Sequence, residues 1–322
     1  MKSRIAEKIE KNFPLAPLTT FKIGGLAEYF FEARAEDDLS EAVLFAKENK
    51  LPANIIGGAS NILINDAGLK GLVIKISGGA EKSISLTAEN DCYLIKTWAG
   101  ESLAGIVRLA GENGLTGLEW ASGIPGSIGG AVRGNAGAFG GCMADNAYRV
   151  RAFDTISGQF NEYGKKQCHF GYRQSLFKKE EDLIIASITL KLEKGDKKEI
   201  EEKMKDIIKR RVEKQPKGLA SAGSFFINPE VEDEELVKKF EKDTGAKCRG
   251  SKLPAGWLIA EAGLTGKRIG DIAVSEDHAN FIVNLGQGTA GEVIMLASFI
   301  KQKIRTQFGV QLKEEVRYLG FD

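Results

Sequence analysis

Residues 123–141, GIPGSIGGAVRGNAGAFGG, contain eight glycines and only one charged side chain, Arg133. Glycine lets backbone N–H groups approach a ligand closely and adopts backbone angles that other residues avoid. Successive N–H groups in such turns form anion-binding nests, and Ser127 and Asn135 add hydroxyl and amide donors. Tight turns alone do not need so much glycine. The stretch therefore predicts a site for a large, flat cofactor that carries phosphate.

A second small-residue segment, GGASN at 57–61, offers the same chemistry through its backbone and through Ser60 and Asn61. Taken alone, this segment is equally compatible with a tight turn in a β-rich domain. Neither segment has the spacing G-x-G-x-x-G, so the common dinucleotide-binding fingerprint is absent.

The elements that must position these segments follow from hydrophobic spacing. The pattern predicts helices over 3–11, 38–49, 102–114 and 197–214, and a C-terminal helix that begins at the Thr289–Glu292 capping box and stops at Gly309. It predicts a strand, a Gly-Gly turn and a second strand over 19–33, and further strands within 52–65, 71–76, 80–100, the region up to about 193, and 310–318. Strands cluster and helices are sparse before residue 195, which favours an α+β fold over a doubly wound parallel sheet.

Length and composition limit the function classes. A chain of 322 residues exceeds one compact core, and the charged helix at 197–214 suggests a domain boundary near 195–215. The net charge of +1 gives no field that would attract nucleic acid or an anionic membrane. Four separated cysteines and two histidines predict neither a metal site nor a disulfide framework. The N-terminus lacks a signal-peptide core, so we expect a cytoplasmic protein, with a monomer as the default state.

A set of segments in fixed order resembles the UDP-N-acetylenolpyruvoylglucosamine reductase family, over roughly residues 12–320. The segments are TTFKIGG, IIGGASNIL, GLEWASGIPGSIGGAVRGNAGAFGG, FGYRQS, RRVEKQPKGLASAGSFFINP, AGWLIAEAGL, VSEDHANFIVN and LKEEVRYLG. The resemblance implies an α+β chain with a two-subdomain FAD-binding fold of the vanillyl-alcohol-oxidase type and a C-terminal α+β substrate-binding domain. We expect FAD-binding subdomains at 1–75 and 76–200 and the substrate domain at 201–322.

The same resemblance implies FAD as the cofactor, NADPH as the hydride donor and a nucleotide sugar with an enolpyruvyl ether as the substrate. The implied FAD-binding residues lie in the two small-residue segments: Gly57, Gly58, Ala59, Ser60, Asn61, Gly123, Pro125, Gly126, Ser127, Gly129, Gly130, Asn135, Ala136 and Gly137. These segments hold no histidine, so we expect non-covalent FAD, although Cys142 just beyond them keeps covalent attachment open.

The implied reaction adds a hydride to one alkene carbon and a proton to the other, and negative charge develops beside a carboxylate in between. By resemblance Ser224 donates the proton, Arg173 binds the carboxylate with its forked donors, and Glu315 orients or protonates the intermediate. A strand of period two over 310–318 would separate Glu315 from the apolar face and place Glu314 on it.

Further family segments suggest residues near the substrate or its nucleotide: Tyr172, Lys214, Asn228, His278 and Arg317. Two positions depart from the family pattern, because Ile227 and Thr265 stand where the family usually has lysine. The first departure removes a cation beside Asn228, so phosphate or carboxylate contacts there are expected to be rearranged.

Two other functions compete with the reductase. One is a flavin oxidase or dehydrogenase that acts on another small molecule, and the segments from 214 to 322 argue against it. The other is a flavin- or nucleotide-binding protein without catalysis, and the retention of Arg173, Ser224 and Glu315 argues against that.

Overall fold

The structure is a computed structural model that describes residues 5–79, 84–89, 92–248 and 250–321. The strands, in chain order, are β1 Glu10–Pro14, β2 Leu26–Ala33, β3 Ala53–Ile56, β4 Ile62–Ile64, β5 Leu69–Ile76, β6 Ile84–Glu89, β7 Cys92–Trp98, β8 Leu115–Thr116, β9 Gly137–Ala138, β10 Gly141–Cys142, β11 Ala147–Asp154, β12 Gln159–Gly164, β13 Leu183–Lys194, β14 Ala220–Ser224, β15 Phe226–Ile227, β16 Arg268–Ile269, β17 Ile272–Val274, β18 Phe281–Asn284, β19 Lys313–Glu314 and β20 Arg317–Leu319. The α-helices are α1 Glu36–Glu48, α2 Leu103–Glu112, α3 Ile128–Arg133, α4 Met143–Asn146, α5 Leu176–Lys179, α6 Lys197–Lys214, α7 Glu234–Thr244, α8 Ala255–Glu261 and α9 Ala290–Phe308.

The chain forms two compact units. Unit 1 comprises Met1–Phe13, Ala27–Ala59 and Leu69–Arg211, and unit 2 comprises Pro14–Leu26, Ser60–Gly68 and Val212–Asp322. Two short N-terminal segments thus belong to the unit that holds the C-terminal third of the chain. The domain limits expected at 75 and 200 stay a prediction.

Unit 1 contains two main sheets. One has the strand order β1-β2-β5-β3, in which β5 runs parallel to both β2 and β3. Strand β5 is buried along nearly its whole length, as its apolar run LVIKI predicts for a central parallel strand. The other sheet is antiparallel, with the order β12-β11-β13-β7-β6, and β8 also pairs with β13.

Helices α1 and α2 cover the unit 1 core with apolar faces of helical period. In α1 the buried residues are Leu39, Ala42, Val43 and Ala46, spaced to form one stripe along the helix. Helix α2 begins at Ser102, whose hydroxyl accepts a hydrogen bond from the Gly105 N–H at 3.4 Å, and its chain reverses at Gly114.

Unit 2 is built around a sheet of order β14-β18-β17-β16, with the two-stranded pairs β15-β19 and β20-β4. Strand β4, from the N-terminal segment Ser60–Gly68, pairs in parallel with β20 near the C-terminus. The core contains Phe21, Leu63 and Phe226 together with the apolar face of α9. Three separate stretches of sequence therefore share one hydrophobic core.

Helix α9 begins with a double cap. Thr289 and Glu292 form the predicted capping box, with Glu292 N–H to Thr289 Oγ1 at 3.2 Å and Thr289 N–H to Glu292 Oε2 at 3.0 Å. Asp66 adds a second anionic cap, because its two carboxylate oxygens accept from the N–H groups of Ala290 at 2.9 Å and Gly291 at 3.2 Å. Within the described residues, no helix is long and apolar enough to cross a membrane.

Most of the predicted elements are confirmed, and three are wrong. The helix predicted over 3–11 is reduced to a 3₁₀ turn at Ala6–Lys8, and strand β1 begins at Glu10; residues 1–4 lie outside the described part. Residues 19–23 form no strand, and their polar groups are used in turns such as Lys22 N–H to Thr19 O at 3.3 Å. The strand predicted over 310–318 is broken between β19 and β20.

We expect Asp66→Ala to lower the free energy of unfolding by about 1–2 kcal/mol, since it removes a carboxylate that caps two N–H groups at a helix N-terminus. Urea titration followed by circular dichroism measures this change. Asp277→Ala serves as control, because Asp277 is exposed and should change stability by less than about 0.5 kcal/mol. Equal losses in both variants would contradict the capping role.

Candidate active site

The two small-residue segments meet within unit 1. The Gly58 N–H donates to Ser127 Oγ at 3.3 Å, and a Cβ on Gly58 would lie 2.5 Å from Gly126 Cα. A Cβ on Gly57 would lie 2.5 Å from Ser127 Oγ. Only glycine permits this approach of two backbones, so the segments predicted from sequence form one surface here.

Other glycines of the 123–141 stretch serve packing inside unit 1. A Cβ on Gly129 would lie 2.8 Å from Ala99 Cβ, and the Gly129 N–H donates to Ala99 O at 2.9 Å. Ser127 caps α3 by accepting from the Gly130 N–H at 3.3 Å. The glycines of this stretch thus serve two purposes: Gly129 allows close packing against Ala99, and Gly126 allows close approach to Gly58.

The FGYRQS segment is fastened to the end of the glycine-rich stretch. Asn135 Nδ2 donates to Gly171 O at 2.8 Å, and Arg173 Nη2 donates to Gly137 O at 3.0 Å. Asn135 Oδ1 accepts from the Ala144 N–H at 2.9 Å, so both ends of this amide are engaged inside unit 1. The Asn135 side chain therefore ties the glycine-rich stretch to Gly171 and Ala144.

Arg173 stands at the tip of a tight turn. Gly171 and Gln174 exchange backbone hydrogen bonds of 3.0 and 3.1 Å, which leaves Tyr172 and Arg173 at the corner. Arg173 has φ +56°, a left-handed conformation that is uncommon for a long side chain and clusters at functional sites. Its guanidinium lies 5.2 Å from the centre of the Tyr172 ring, so the two predicted residues are held together.

The GGASN segment passes from unit 1 into unit 2 between Ala59 and Ser60. In unit 2, Ser60 O accepts from Thr20 Oγ1 at 3.3 Å. Asn61 Nδ2 donates to Glu315 O at 3.2 Å, and Asn61 O accepts from the Arg317 N–H at 3.1 Å. Asn61, predicted as a cofactor contact, therefore also holds the segment that carries Glu315.

Ser224 and Glu315 are brought together in unit 2, although 91 positions separate them in the sequence (315 minus 224). The Glu315 N–H donates to the carbonyl of Phe225, the residue after Ser224, at 2.8 Å. The next rungs, Phe226 with Glu314 and Ile227 with Lys313, form the β15-β19 pair. The Glu314 carboxylate forms an ion pair with Lys301 at 2.6 Å, and the choice of Glu315 over Glu314 stays a prediction.

Asn280 is a positioning residue that the sequence reasoning missed. Its side chain is 4% exposed and exchanges hydrogen bonds with the backbone of Phe226, accepting at 3.0 Å and donating at 2.9 Å. Its carbonyl accepts from the Phe225 N–H at 2.7 Å. The segment EDHANF contained the signal, since an asparagine between apolar residues immediately before a buried strand needs backbone partners.

His278 lies two residues before Asn280, and its Nδ1 accepts from the Asn280 N–H at 3.2 Å. Burial lowers the pKa of His278 below its usual 6.5, and the positive charge of Lys214 acts in the same direction. Both effects favour the neutral form of the ring, and Lys214 is electrostatically coupled to it within unit 2.

The remaining predicted residues divide between the two units. Asn228 Oδ1 accepts from the Ala255 N–H at 3.0 Å, which caps α8, and Arg317 lies in β20 beside Ile62 of β4. Gly123, Pro125 and Ala136 lie in unit 1.

Burial, and secondarily Asp145, raises the pKa of the Cys142 thiol. Among the described residues, no group of three His, Cys, Asp or Glu could hold a metal ion.

These residues fit a flavin dinucleotide in their chemistry. An anionic cofactor with a flat ring requires close backbone approach, hydroxyl donors and a cation. Unit 1 offers all three, through Gly57 and Gly58, Ser127, and Arg173 with its bond to Gly137.

Comparison with known families agrees with this geometry. Residues 27–160 match the family model of an FAD binding domain, and residues 215–319 match the model of the UDP-N-acetylenolpyruvoylglucosamine reductase C-terminal domain.

Full-length relatives are consistent with both domain matches. The chain is 37% identical over 313 residues to a UDP-N-acetylenolpyruvoylglucosamine reductase of Solibacter usitatus, covering 97% of each chain, and 36% identical to one of Desulforamulus reducens, covering 100% of this chain and 97% of that one. The crystal structure of the reductase from Thermus caldophilus superposes with a TM-score of 0.73 at 32% identity, covering 95% of this chain and 97% of that one. The α+β chain, with its FAD-binding domain and C-terminal substrate-binding domain, belongs to the UDP-N-acetylenolpyruvoylglucosamine reductase family.

Proposed function

We propose that this protein is a UDP-N-acetylmuramate dehydrogenase, an NADP-dependent oxidoreductase acting on a CH–CH bond. It reduces the enolpyruvyl ether of UDP-N-acetylglucosamine enolpyruvate to a lactyl ether, a step of peptidoglycan precursor synthesis. The observation that carries the proposal is the hydrogen bond from Glu315 to Phe225, which fixes Ser224 beside Glu315 in a member of this family. Non-covalent FAD, a cytoplasmic location and a monomeric state belong to the same proposal.

Bound FAD supplies the hydride, which NADPH replenishes, and the protein must supply the proton. Ser224 is suited to donate it, because its backbone is fixed between β18 and the Glu315 segment. A serine hydroxyl is a weak acid in water, so it needs a partner that stabilises the transferring charge. Glu315, whose N–H donates to the carbonyl of Phe225, the residue after Ser224, is proposed to orient or relay that proton.

Arg173 is proposed to bind the carboxylate of the enolpyruvyl group. Its guanidinium is permanently charged and offers forked donors that match a carboxylate. One of its nitrogens donates to Gly137 O at 3.0 Å, which restricts the side chain to few rotamers. Charge that develops on the substrate beside the carboxylate would be stabilised by this preorganised cation.

Lys214, His278, Asn228, Tyr172 and Arg317 are proposed to contact the substrate or its nucleotide. Support comes from the coupling of Lys214 to a neutral His278. A neutral imidazole can donate from Nε2 while its Nδ1 accepts from Asn280. Together they would present a cation and a donor to a pyrophosphate.

We expect Ser224→Ala to bind FAD and to be reduced by NADPH at the original rate, because neither step needs the serine proton. Reoxidation by the enolpyruvyl nucleotide sugar should slow by about 10²- to 10⁴-fold. Anaerobic stopped-flow absorbance of the flavin separates the two half-reactions. Reoxidation at the original rate would refute Ser224 as the proton donor, and a lack of flavin colour in the unmodified protein would refute the proposed function.

Glu315→Gln should slow the same reoxidation step by about 10²-fold or more, since the amide keeps the size but loses the charge and the basicity. Glu314→Gln is the matched control, because Glu314 is the neighbouring carboxylate and pairs with Lys301. It should leave both half-reactions unchanged. Equal slowing in the two variants would assign the effect to the strand pair β15-β19 and not to catalysis.

UDP alone is expected to raise the pKa of His278, because a pyrophosphate dianion near Lys214 offsets the positive charge that helps to hold this pKa down. The chain has only two histidines, His169 and His278, so NMR titration of the imidazole resonances resolves them directly. His169 is exposed in unit 1 and is the internal reference. An unchanged His278 titration at saturating UDP would place the pyrophosphate elsewhere.

A further inference from the structure

Arg211, near the end of α6, directs its side chain into unit 1 at the start of the glycine-rich stretch. Its Nε donates to Ser122 O at 2.8 Å. Its guanidinium lies 5.1 Å from the centre of the Phe139 ring, and its Cδ would lie 3.1 Å from a Cβ on Gly123. The side chain thus bridges the beginning and the end of the segment 123–141.

The far end of this guanidinium is buried without a partner. Arg211 Nη2 is shielded from solvent and has no hydrogen-bond acceptor in the part of the chain that the structure describes. Burial lowers the pKa of Arg211 from its ordinary value, yet a guanidinium stays charged in proteins. A buried cation with an unused donor is costly unless an anion or a polar oxygen faces it.

Two further donors, in the segment 120–122 that holds Arg211 through the Ser122 carbonyl, are in the same state. Trp120 Nε1 and Ser122 Oγ are buried and unpaired among the described residues. Ser122 is the residue whose carbonyl holds Arg211, and the Trp120 ring packs on Gly141, where a Cβ would lie 2.5 Å from Trp120 Cγ. We call Trp120, Ser122 and Arg211 the donor cluster.

The donor cluster suits an oxygen-rich ligand better than a structural role. A structural arginine would have a carboxylate or several carbonyls around it, whereas one carbonyl, that of Ser122, accepts from Arg211 among residues 5–79, 84–89, 92–248 and 250–321. Water could satisfy the hydroxyl and the indole N–H, but it would not neutralise the guanidinium. The cluster lies within residues 27–160, which match an FAD binding domain, apart from Arg211 itself.

We propose that Arg211, assisted by Ser122 and Trp120, binds an oxygen of the FAD, and that this contact anchors α6 to the cofactor. The oxygen belongs either to the pyrophosphate or to the pyrimidine carbonyl of the flavin ring. Both are hydrogen-bond acceptors, but they differ in how a cation beside them changes the flavin midpoint potential. A cation at the ring oxygen also stabilises the reduced, negatively charged flavin. The inference rests on the FAD of the proposed function and needs neither NADPH nor the nucleotide sugar.

The test compares Arg211→Met with Arg210→Met in the holoprotein. Arg210 is the adjacent arginine, exposed and paired with Asp206 at 2.8 Å, so it is a matched control for charge and helix position. Flavin fluorescence after serial dilution gives the dissociation constant of FAD, and spectroelectrochemistry gives the midpoint potential.

Arg211→Met should release FAD with a dissociation constant about 10- to 100-fold higher, the loss expected for a charged hydrogen bond. If the midpoint potential of the flavin in Arg211→Met is unchanged, Arg211 binds the pyrophosphate. If that potential is more negative, Arg211 binds the ring carbonyl. Arg210→Met should match the unmodified protein in both measurements.

Arg211→Lys keeps the charge but loses the forked donors, so its dissociation constant for FAD should lie between those of Arg211→Met and the unmodified protein. This variant keeps the proposal testable if Arg211→Met does not fold. Unchanged affinity and potential in folded Arg211→Met, checked by thermal melting, would overturn the assignment. An unmodified protein that binds no FAD would instead refute the proposed function, which keeps the two failures distinct.

Discussion

The hydrogen bond from the Glu315 N–H to the Phe225 carbonyl is the contact on which the candidate catalytic arrangement depends. It joins the C-terminal segment to the strand end that carries Ser224. Asn280 holds the other side of the same dipeptide with three hydrogen bonds to Phe225 and Phe226. The backbone that follows Ser224 is thus held from two distant segments, the one that carries Glu315 and the one that carries Asn280.

The spacing of apolar residues predicted the helices and strands whose formation depends on their own sequence. Helices α1, α2, α6 and α9 follow from spacing and caps, and the apolar run of β5 follows from burial on both faces. Long-range pairing was not predictable in this way. The recruitment of Ser60–Gly68 to unit 2 through the β4-β20 pair depends on a partner more than 250 positions away, and no local pattern records it.

The candidate site shows the same division. The glycine-rich segments and the residues of the family motifs could be recognised from sequence, and the structure brings Gly58 to Ser127, Asn61 to Glu315 and Arg173 to Gly137. The sequence did not reveal that Asn280 supports the backbone beside Ser224. Nor did it show that the Asn135 amide bonds Gly171 and Ala144, or that Gly129 allows close packing against Ala99. Such roles depend on which backbone groups would otherwise be left unpaired.

Four of the nine non-glycine residues with positive φ in the described part of the chain lie within the two small-residue segments and FGYRQS. Ala59, Asn135, Phe139 and Arg173 all adopt positive φ without being glycine, a conformation that costs of order 1 kcal/mol or more per residue. Tight hydrogen bonds such as Ala136 N–H to Ala131 O at 2.8 Å hold the segment in place. The strained residues are therefore kept in one conformation by the fold around them, as a preorganised binding surface requires.

The assembly of unit 2 from three stretches has a consequence for how the protein is made. The C-terminal stretch Val212–Asp322 cannot complete its core alone, because Phe21, Ile23 and Leu63 come from the N-terminal third. On a ribosome these early residues emerge first. Their apolar side chains lack their packing partners in unit 2 until nearly the last residue has been translated. A genetic split after Arg211 would leave the C-terminal fragment without part of its own interior, so this protein is not modular in the sense that its domain order suggests.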